Sequence, residues 1–401
     1  MTFTPSRQIF TRDAKAASHL GYLDGVRAFA ALFVVLHHAL LQVSPNMAPL
    51  SGWLPGSTLL YYGRYAVDVF IVLSGFCLML PVLRNEGVLR GGAATFFKRR
   101  VWRILPPYYL ALLFSLFLIV ALIHDKTGTH WDISLPATKP AFLAQFLLVG
   151  RLFGQSAKIN HAFWSIAVEW WIYFAFPLLL IGWRRWGALA TTALTLIASY
   201  GVEALVLHKT GKELYAHYLG LFAMGMLAAA FAFPSLALAI YKFPTVPPLW
   251  RARVWGLLSF LCAGLVVALS WVAYRRGSVM TAFPVDYWVG ACACCVLVLL
   301  TCRPQSGLTR CFGWPPLVWV GTFSYSLYLI HAPLLQVLWQ YPFAVFKSSP
   351  TCMFLALAFL GTPLIVALSY GFFWICERPF LLRGRQTQQA AVVQAALEPA
   401  P

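Results

Sequence analysis

Residues 23–41, LDGVRAFAALFVVLHHALL, set one arginine and two adjacent histidines into an otherwise apolar stretch. An ionisable side chain in hydrocarbon costs several kcal/mol even on lenient scales, so such groups persist where they pair or do chemistry. At about 100° per residue, Arg27 and His38 fall within about 20° of one helical face, and His37 points roughly 80° away from it. A rise of 1.5 Å per residue separates Arg27 from His38 by about 16 Å, roughly half the hydrocarbon thickness. Arg27 then lies near one membrane surface while His38 reaches the middle or beyond. A neutral histidine at that depth suits proton abstraction; the plain alternative is a snorkelling arginine with histidines bonded to neighbouring helices.

Other polar stripes of the same character decide for chemistry. HAFWSIAVEWWIYF, from residue 161, carries His161, Ser165, Glu169 and Tyr173 at successive i, i+4 positions. Glu169 is the acid within that stretch, and needs a cation or a proton there. A proton relay, an acceptor-binding group and a structural ion pair all remain open for it. FSYSLYLIHAPLL, from residue 323, aligns Ser324, Tyr328 and His331 on one face, with Pro333 placed to kink the helix. In GRYAVDVFIVLSGF, Asp68 has two candidate partners, Arg64 one turn earlier and Arg27 on the first helix. Gly75, on the face of Asp68, reads as a packing position. The basic segment Arg84, Arg90, Lys98, Arg99, Arg100 and Arg103 runs into KRRVWRILPPYY. Arg100 and Arg103, one turn apart, can grip a phosphate bidentately, or simply mark a cytoplasmic helix end. Glu377-Arg378-Pro379 reads as a helix stop with a local ion pair.

The elements that must position these groups are membrane helices. The 401 residues are 60% hydrophobic and 10% charged, with a mean hydropathy of +0.73. A soluble domain carries roughly 25% charged residues; this chain is an all-α, polytopic membrane protein. Ten apolar stretches of bilayer length are expected in a single bundle: 23–43, 65–83, 104–123, 161–182, 187–207, 217–236, 254–273, 284–302, 317–339 and 351–376. The fourth and fifth form a tight hairpin. Residues 141–149 are too short to span and read as re-entrant or interfacial. Residues 1–20 are taken as a cytoplasmic N-terminal segment without a cleavable signal peptide, 21–380 as the membrane domain, and 381–401 as a disordered tail. No soluble domain is expected on either side. The net charge of +18 combines 30 Lys and Arg with 12 Asp and Glu. Those basic residues sit in short loops, which excludes a nucleic-acid partner, and they favour one side by about two to one. Both termini are therefore expected in the cytoplasm. Cys292, Cys294 and Cys295 cluster but lack the paired C-x-x-C spacing of a zinc site, so no metal ligand set and no disulfide framework are expected.

The ordered segments LDGVRAFAALFVVLHH, GRYAVDVFIVLSGF, KRRVWRILPPYY, HAFWSIAVEWWIYF, FSYSLYLIHAPLL and ERPF together resemble the acyltransferase 3 family of integral membrane acyltransferases. The resemblance covers about residues 21–380. It implies transfer of an acyl group, acetyl foremost, from cytoplasmic acyl-CoA to a hydroxyl of a glycan, a lipid-linked saccharide or a small molecule, at a bacterial inner membrane. The donor would be a substrate, with no tightly bound cofactor. It implies roles for Arg27 and His38 in activity and for Arg100 and Arg103 in donor binding. Many members carry two adjacent acids in the fourth span; here Trp170 follows Glu169, which stands alone.

Acyl transfer to a hydroxyl needs a base and oxyanion stabilisation. The reading therefore takes His38 as base, Arg27 and Glu169 as further catalytic candidates, and Arg100 and Arg103 as donor ligands. His37, Asp68, Ser165, Tyr173, Tyr328 and His331 are candidates for contacting the acceptor or supporting the site. Oligomeric state is not readable. The rival reading is a transporter or exporter of a lipid-linked sugar or small solute, which predicts internal repeats that the chain lacks.

Overall fold

A computed structural model describes residues 20–46, 57–241, 248–275 and 283–383. The expected N-terminal segment up to residue 19, the proline-containing loop at 242–247 and the tail from 384 lie outside the described residues. Among the described residues every regular element is a helix: α1 (Gly21–Val43), α2 (Arg64–Arg84), α3 (Gly92–Leu118), α4 (Phe163–Trp186), α5 (Ala188–Thr210), α6 (His217–Ala232), α7 (Pro248–Arg275), α8 (Phe283–Cys302), α9 (Pro315–Thr322), α10 (Ser324–Gln340), α11 (Pro350–Ala356) and α12 (Thr362–Phe372), with short helical turns between them. α11 and α12 belong to one helical run, Pro350–Arg383, and a further turn carries α3 on to Ile123.

Seven of these runs are long and apolar enough to cross a bilayer, eight if α9 and α10 count as one span. The expected ten is not reached on this measure, for reasons visible in the local chain. The stretch 217–236 is cut at Phe233, whose backbone leaves the helical region (φ −124°, ψ 62°) just before Pro234. Proline's ring disfavours the helical conformation in the residue preceding it. α7 holds only a shorter apolar core, Arg253–Leu269. The stretch 317–339 is broken at Phe323, where α9 and α10 meet at 77°. That bend falls ten residues before Pro333, the expected kink, through which α10 runs as a single helix. Gly187 alone separates α4 from α5, the expected tight hairpin. Outward-facing Val120, Ile197, Phe260 and Phe359 are each at least 70% exposed, as lipid-facing side chains of a spanning helix would be.

The described chain forms two compact units, a division the sequence reading did not anticipate. The first takes residues up to Ala30, Arg64–Leu89 and Trp171–Gly321; the second takes Ala31–Gly63, Arg90–Trp170 and the chain from Thr322 onward. Within the first, α2 and α6 pack through reciprocal glycines. A Cβ on Gly75 would lie 2.1 Å from the Phe222 carbonyl oxygen, and one on Gly225 would lie 2.0 Å from that of Val72. Gly75 is thus a packing position, and any larger residue would force the helices apart. In the second unit, the later half of α1, α10, the start of α4 and the 124–162 segment bring their polar residues together.

Candidate active site

The second unit contains a cluster of imidazoles. His38 Nδ1 lies 2.9 Å from His331 Nε2, and His331 Nδ1 lies 2.8 Å from the Tyr328 carbonyl oxygen. A carbonyl only accepts, so His331 carries its hydrogen on Nδ1 and, when neutral, a lone pair on Nε2. His38 Nδ1 must then be the donor to that lone pair. The remaining nitrogen of His38, Nε2, is left without a hydrogen and able to take one. His331 is fully buried while His38 is half-buried, so the supporting imidazole is sealed and the basic one is reachable.

His37 turns aside, as the helical face requires. Its Nδ1 donates to the Leu60 carbonyl at 2.6 Å, and its ring lies over Gly63, where a Cβ would fall 2.1 Å from the imidazole. The hydrogen bond and the missing side chain together fix the ring away from the His38–His331 line.

Two further imidazoles complete the cluster. The ring of His161 lies 4.7 Å from that of His38, and His130 stacks at 6.0 Å. His161 precedes α4 in a tight segment held by Asn160, which accepts from the Ala162 amide and donates to the Leu329 carbonyl. Its Nδ1 meets Ser134 Oγ at 3.1 Å. His130 is pinned through its loop: Thr129 Oγ1 donates to Gln336 Oε1 at 2.9 Å, and Gln336 Nε2 donates to Thr127 Oγ1 at 3.0 Å. Gln42, one turn beyond His38, donates to the same Gln336 oxygen. Burial pushes the His130 imidazole down to about 4, because a charged ring loses its hydration there. His130 is therefore neutral at physiological pH.

The stripe on α4 divides. Ser165 Oγ pairs with the Tyr328 hydroxyl at 2.7 Å, one turn of α10 from His331. Glu169 lies within electrostatic range of Tyr328 and is half-buried, less enclosed than the sequence reading supposed. Tyr173 belongs to the first unit, where its hydroxyl meets Ser74 Oγ at 3.1 Å. Arg27, also in the first unit, donates to the carboxylate of Asp24 and to Cys77 Sγ. Asp68 is fully buried and pairs with neither expected partner, since Arg64 turns to Glu213 and Asp286.

The basic entry to α3 packs on the end of the last helical run. Trp102 stacks on Phe380 at 6.1 Å, and the Arg100 guanidinium lies 5.7 Å from the centre of the Phe96 ring. Glu377 does not form the expected ion pair with Arg378. It accepts from Ser326 and lies within electrostatic range of Arg103, while Arg378 lies over the Trp374 ring at 3.5 Å. The helical run continues through Glu377-Arg378-Pro379 to Arg383, so the segment is not the expected helix stop. His130 is the cluster member that sequence reasoning missed. It sits in a polar loop, and only the glutamine–threonine bonds place that loop against α10.

The chain belongs to the acyltransferase 3 family, whose model, described as an acyltransferase domain, matches residues 20–374. Its relatives include the Bacillus subtilis protein YrhL, provisionally named a peptidoglycan O-acetyltransferase, 25% identical over 90% of this chain and 55% of its own length. The peptidoglycan O-acetyltransferase OatA of Listeria monocytogenes is 25% identical over 79% of this chain and 49% of its own length. The O-acetyltransferase OatA of Staphylococcus aureus is 24% identical over 91% of this chain and 58% of its own length. The chain thus spans about half the length of the curated relatives it matches. No solved structure matches it.

Proposed function

We propose that this chain is a membrane-embedded O-acyltransferase that moves an acyl group, acetyl foremost, from acyl-CoA to a hydroxyl of a cell-envelope glycan. Family membership supports the reaction type, and the named activities of the relatives support a peptidoglycan-like acceptor. The observation that carries the mechanism is the His38–His331–Tyr328 chain of hydrogen bonds, which leaves the His38 Nε2 lone pair uncommitted.

In this reading the acceptor hydroxyl gives its proton to His38 Nε2 as its oxygen attacks the thioester carbonyl. The carbon–sulfur bond breaks, and His38 returns the proton to the leaving thiolate. His331 holds the His38 ring in the required tautomer, as the third group of a catalytic triad orients its base. The Ser165–Tyr328 hydroxyl pair and Glu169 orient the acceptor. Arg100 and Arg103 hold the donor's phosphates. The excess of basic residues in alternate loops supports a reading with both termini on the cytoplasmic side of a bacterial inner membrane.

The test is transfer by the purified chain in lipid, supplied with radiolabelled acetyl-CoA and a glycan acceptor. Label should pass to an alkali-labile ester on the acceptor, with one CoA thiol released per ester formed. Movement of an unmodified saccharide across the bilayer, without dependence on acetyl-CoA, would overturn the reading in favour of transport.

A further inference from the structure

We infer that His38, His130 and His161 form a binding site for one divalent transition-metal ion of the zinc class. A nitrogen from each comes within 4.8 Å of the others, inside the second unit, although His38 stands far along the chain from the other two. Neutral imidazole is the ligand such ions favour. Zinc sits about 2.0–2.1 Å from each histidine nitrogen, so small rotations of these rings bring them into contact with a shared ion.

The second observation is an orphaned ligand atom. His161 is 6% exposed, yet its Nε2 has no hydrogen-bond partner. A buried polar atom left unpaired carries a desolvation cost, and one such atom in a native structure calls for an explanation. Its other nitrogen already meets Ser134 Oγ. The hydroxyl oxygen, with two lone pairs, can accept from both the His161 amide and Nδ1–H, freeing Nε2 to coordinate. His38 is prepared in the same way, because its Nδ1 donates to His331 and its Nε2 holds the lone pair. Metal-bound histidines usually donate their second nitrogen to such a partner, which fixes the ring and raises its basicity. Three neutral ligands leave a fourth tetrahedral position for an oxygen from water or a substrate.

The site shares His38 with the proposed base, and this consequence rests on that reading. An ion on His38 Nε2 occupies the lone pair that would take the hydroxyl proton, so metal binding and proton abstraction exclude each other. Zinc then acts as an inhibitor of acyl transfer.

The experiment uses the full chain in lipid nanodiscs, stripped with a chelator and titrated with Co²⁺ alone. One ion should bind per chain with the strong visible absorption of tetrahedral cobalt. His130→Ala and His161→Ala should each weaken binding at least tenfold, while His124→Ala, an exposed neighbour, should not. His130→Cys keeps a ligand and should retain binding with a sulfur-to-cobalt charge-transfer band, separating lost coordination from misfolding. Absence of cobalt binding, or binding indifferent to all three cluster variants, would overturn the site. A second arm compares the transfer rate with and without Zn²⁺. Inhibition in the parent chain that weakens at least tenfold in His130→Ala fits both readings. Cobalt binding as described with no inhibition by zinc leaves the metal site standing and overturns His38 as the base.

Discussion

Two buried polar clusters, one in each compact unit, use their side chains in opposite ways. In the first unit, Arg64 reaches Glu213 at 2.8 Å and Asp286 at 2.9 Å. His217 meets the same Asp286 oxygen at 2.8 Å, and Glu203 accepts from the Leu214 and Ala216 amides. Each cation there faces an acid, and a carboxylate ties down the loop between α5 and α6. The second unit gathers imidazoles that, among the described residues, no acid bridges, and leaves nitrogens uncommitted at His38 and His161. Opposite charges in close contact are satisfied and costly to separate. A row of neutral bases costs less to bury and can still accept a proton or an ion. The first arrangement suits holding helices in place; the second suits chemistry.

Breaking the charged cluster should have the largest effect on stability and little on chemistry. Asp286→Asn removes the charge shared by Arg64 and His217, and loss of one partner from a buried pair costs about 3–5 kcal/mol. Thermal unfolding in detergent should show that loss, while the transfer rate per folded molecule changes less than twofold. A large rate loss in fully folded protein would move function into the first unit. In the histidine cluster, His331→Ala should lower kcat about 10- to 100-fold, the range typical of partners that orient a reactive group. KM for acetyl-CoA should hold, and His331→Gln, which restores an acceptor for His38 Nδ1, should recover part of the loss. A rise in KM with kcat unchanged would make His331 a binding residue. The smallest effect is expected for Arg100→Lys with Arg103→Lys. Charge survives but the planar two-point grip does not, and donor affinity measured by equilibrium binding should fall about tenfold. Unchanged affinity would reduce the pair to a topology signal.

Much of this contrast was legible before the fold. The period of α1 separates His38 from His37, and the structure holds their rings in different bonds. The spacing of Tyr328 and His331 likewise put both on one face of α10. What sequence could not show depends on contacts between distant segments. Asp68 and Arg64 stand one turn apart, yet Arg64 is drawn to acids 149 and 222 residues away. His130 reaches the cluster on a loop whose Thr127 and Thr129 bond to Gln336, the residue that Gln42 also meets. The break at Phe323 escaped notice because hydropathy continues across it unchanged, whereas Pro234 was a visible stop that the expected span 217–236 overran.

The account turns on His38, and the paired variants His38→Ala and His37→Ala test it most directly. Both are assayed as purified, lipid-reconstituted chains with radiolabelled acetyl-CoA, alongside donor binding. His38→Ala should bind the donor nearly normally and transfer at least a hundredfold more slowly, within the ~10²–10⁴ range for loss of a general base. His37→Ala, which loses its bond to the Leu60 carbonyl and its ring contact with His38 at 4.9 Å, should stay within a few-fold of the parent rate. An inactive His37→Ala beside an active His38→Ala would contradict the account and move the base one residue back along α1.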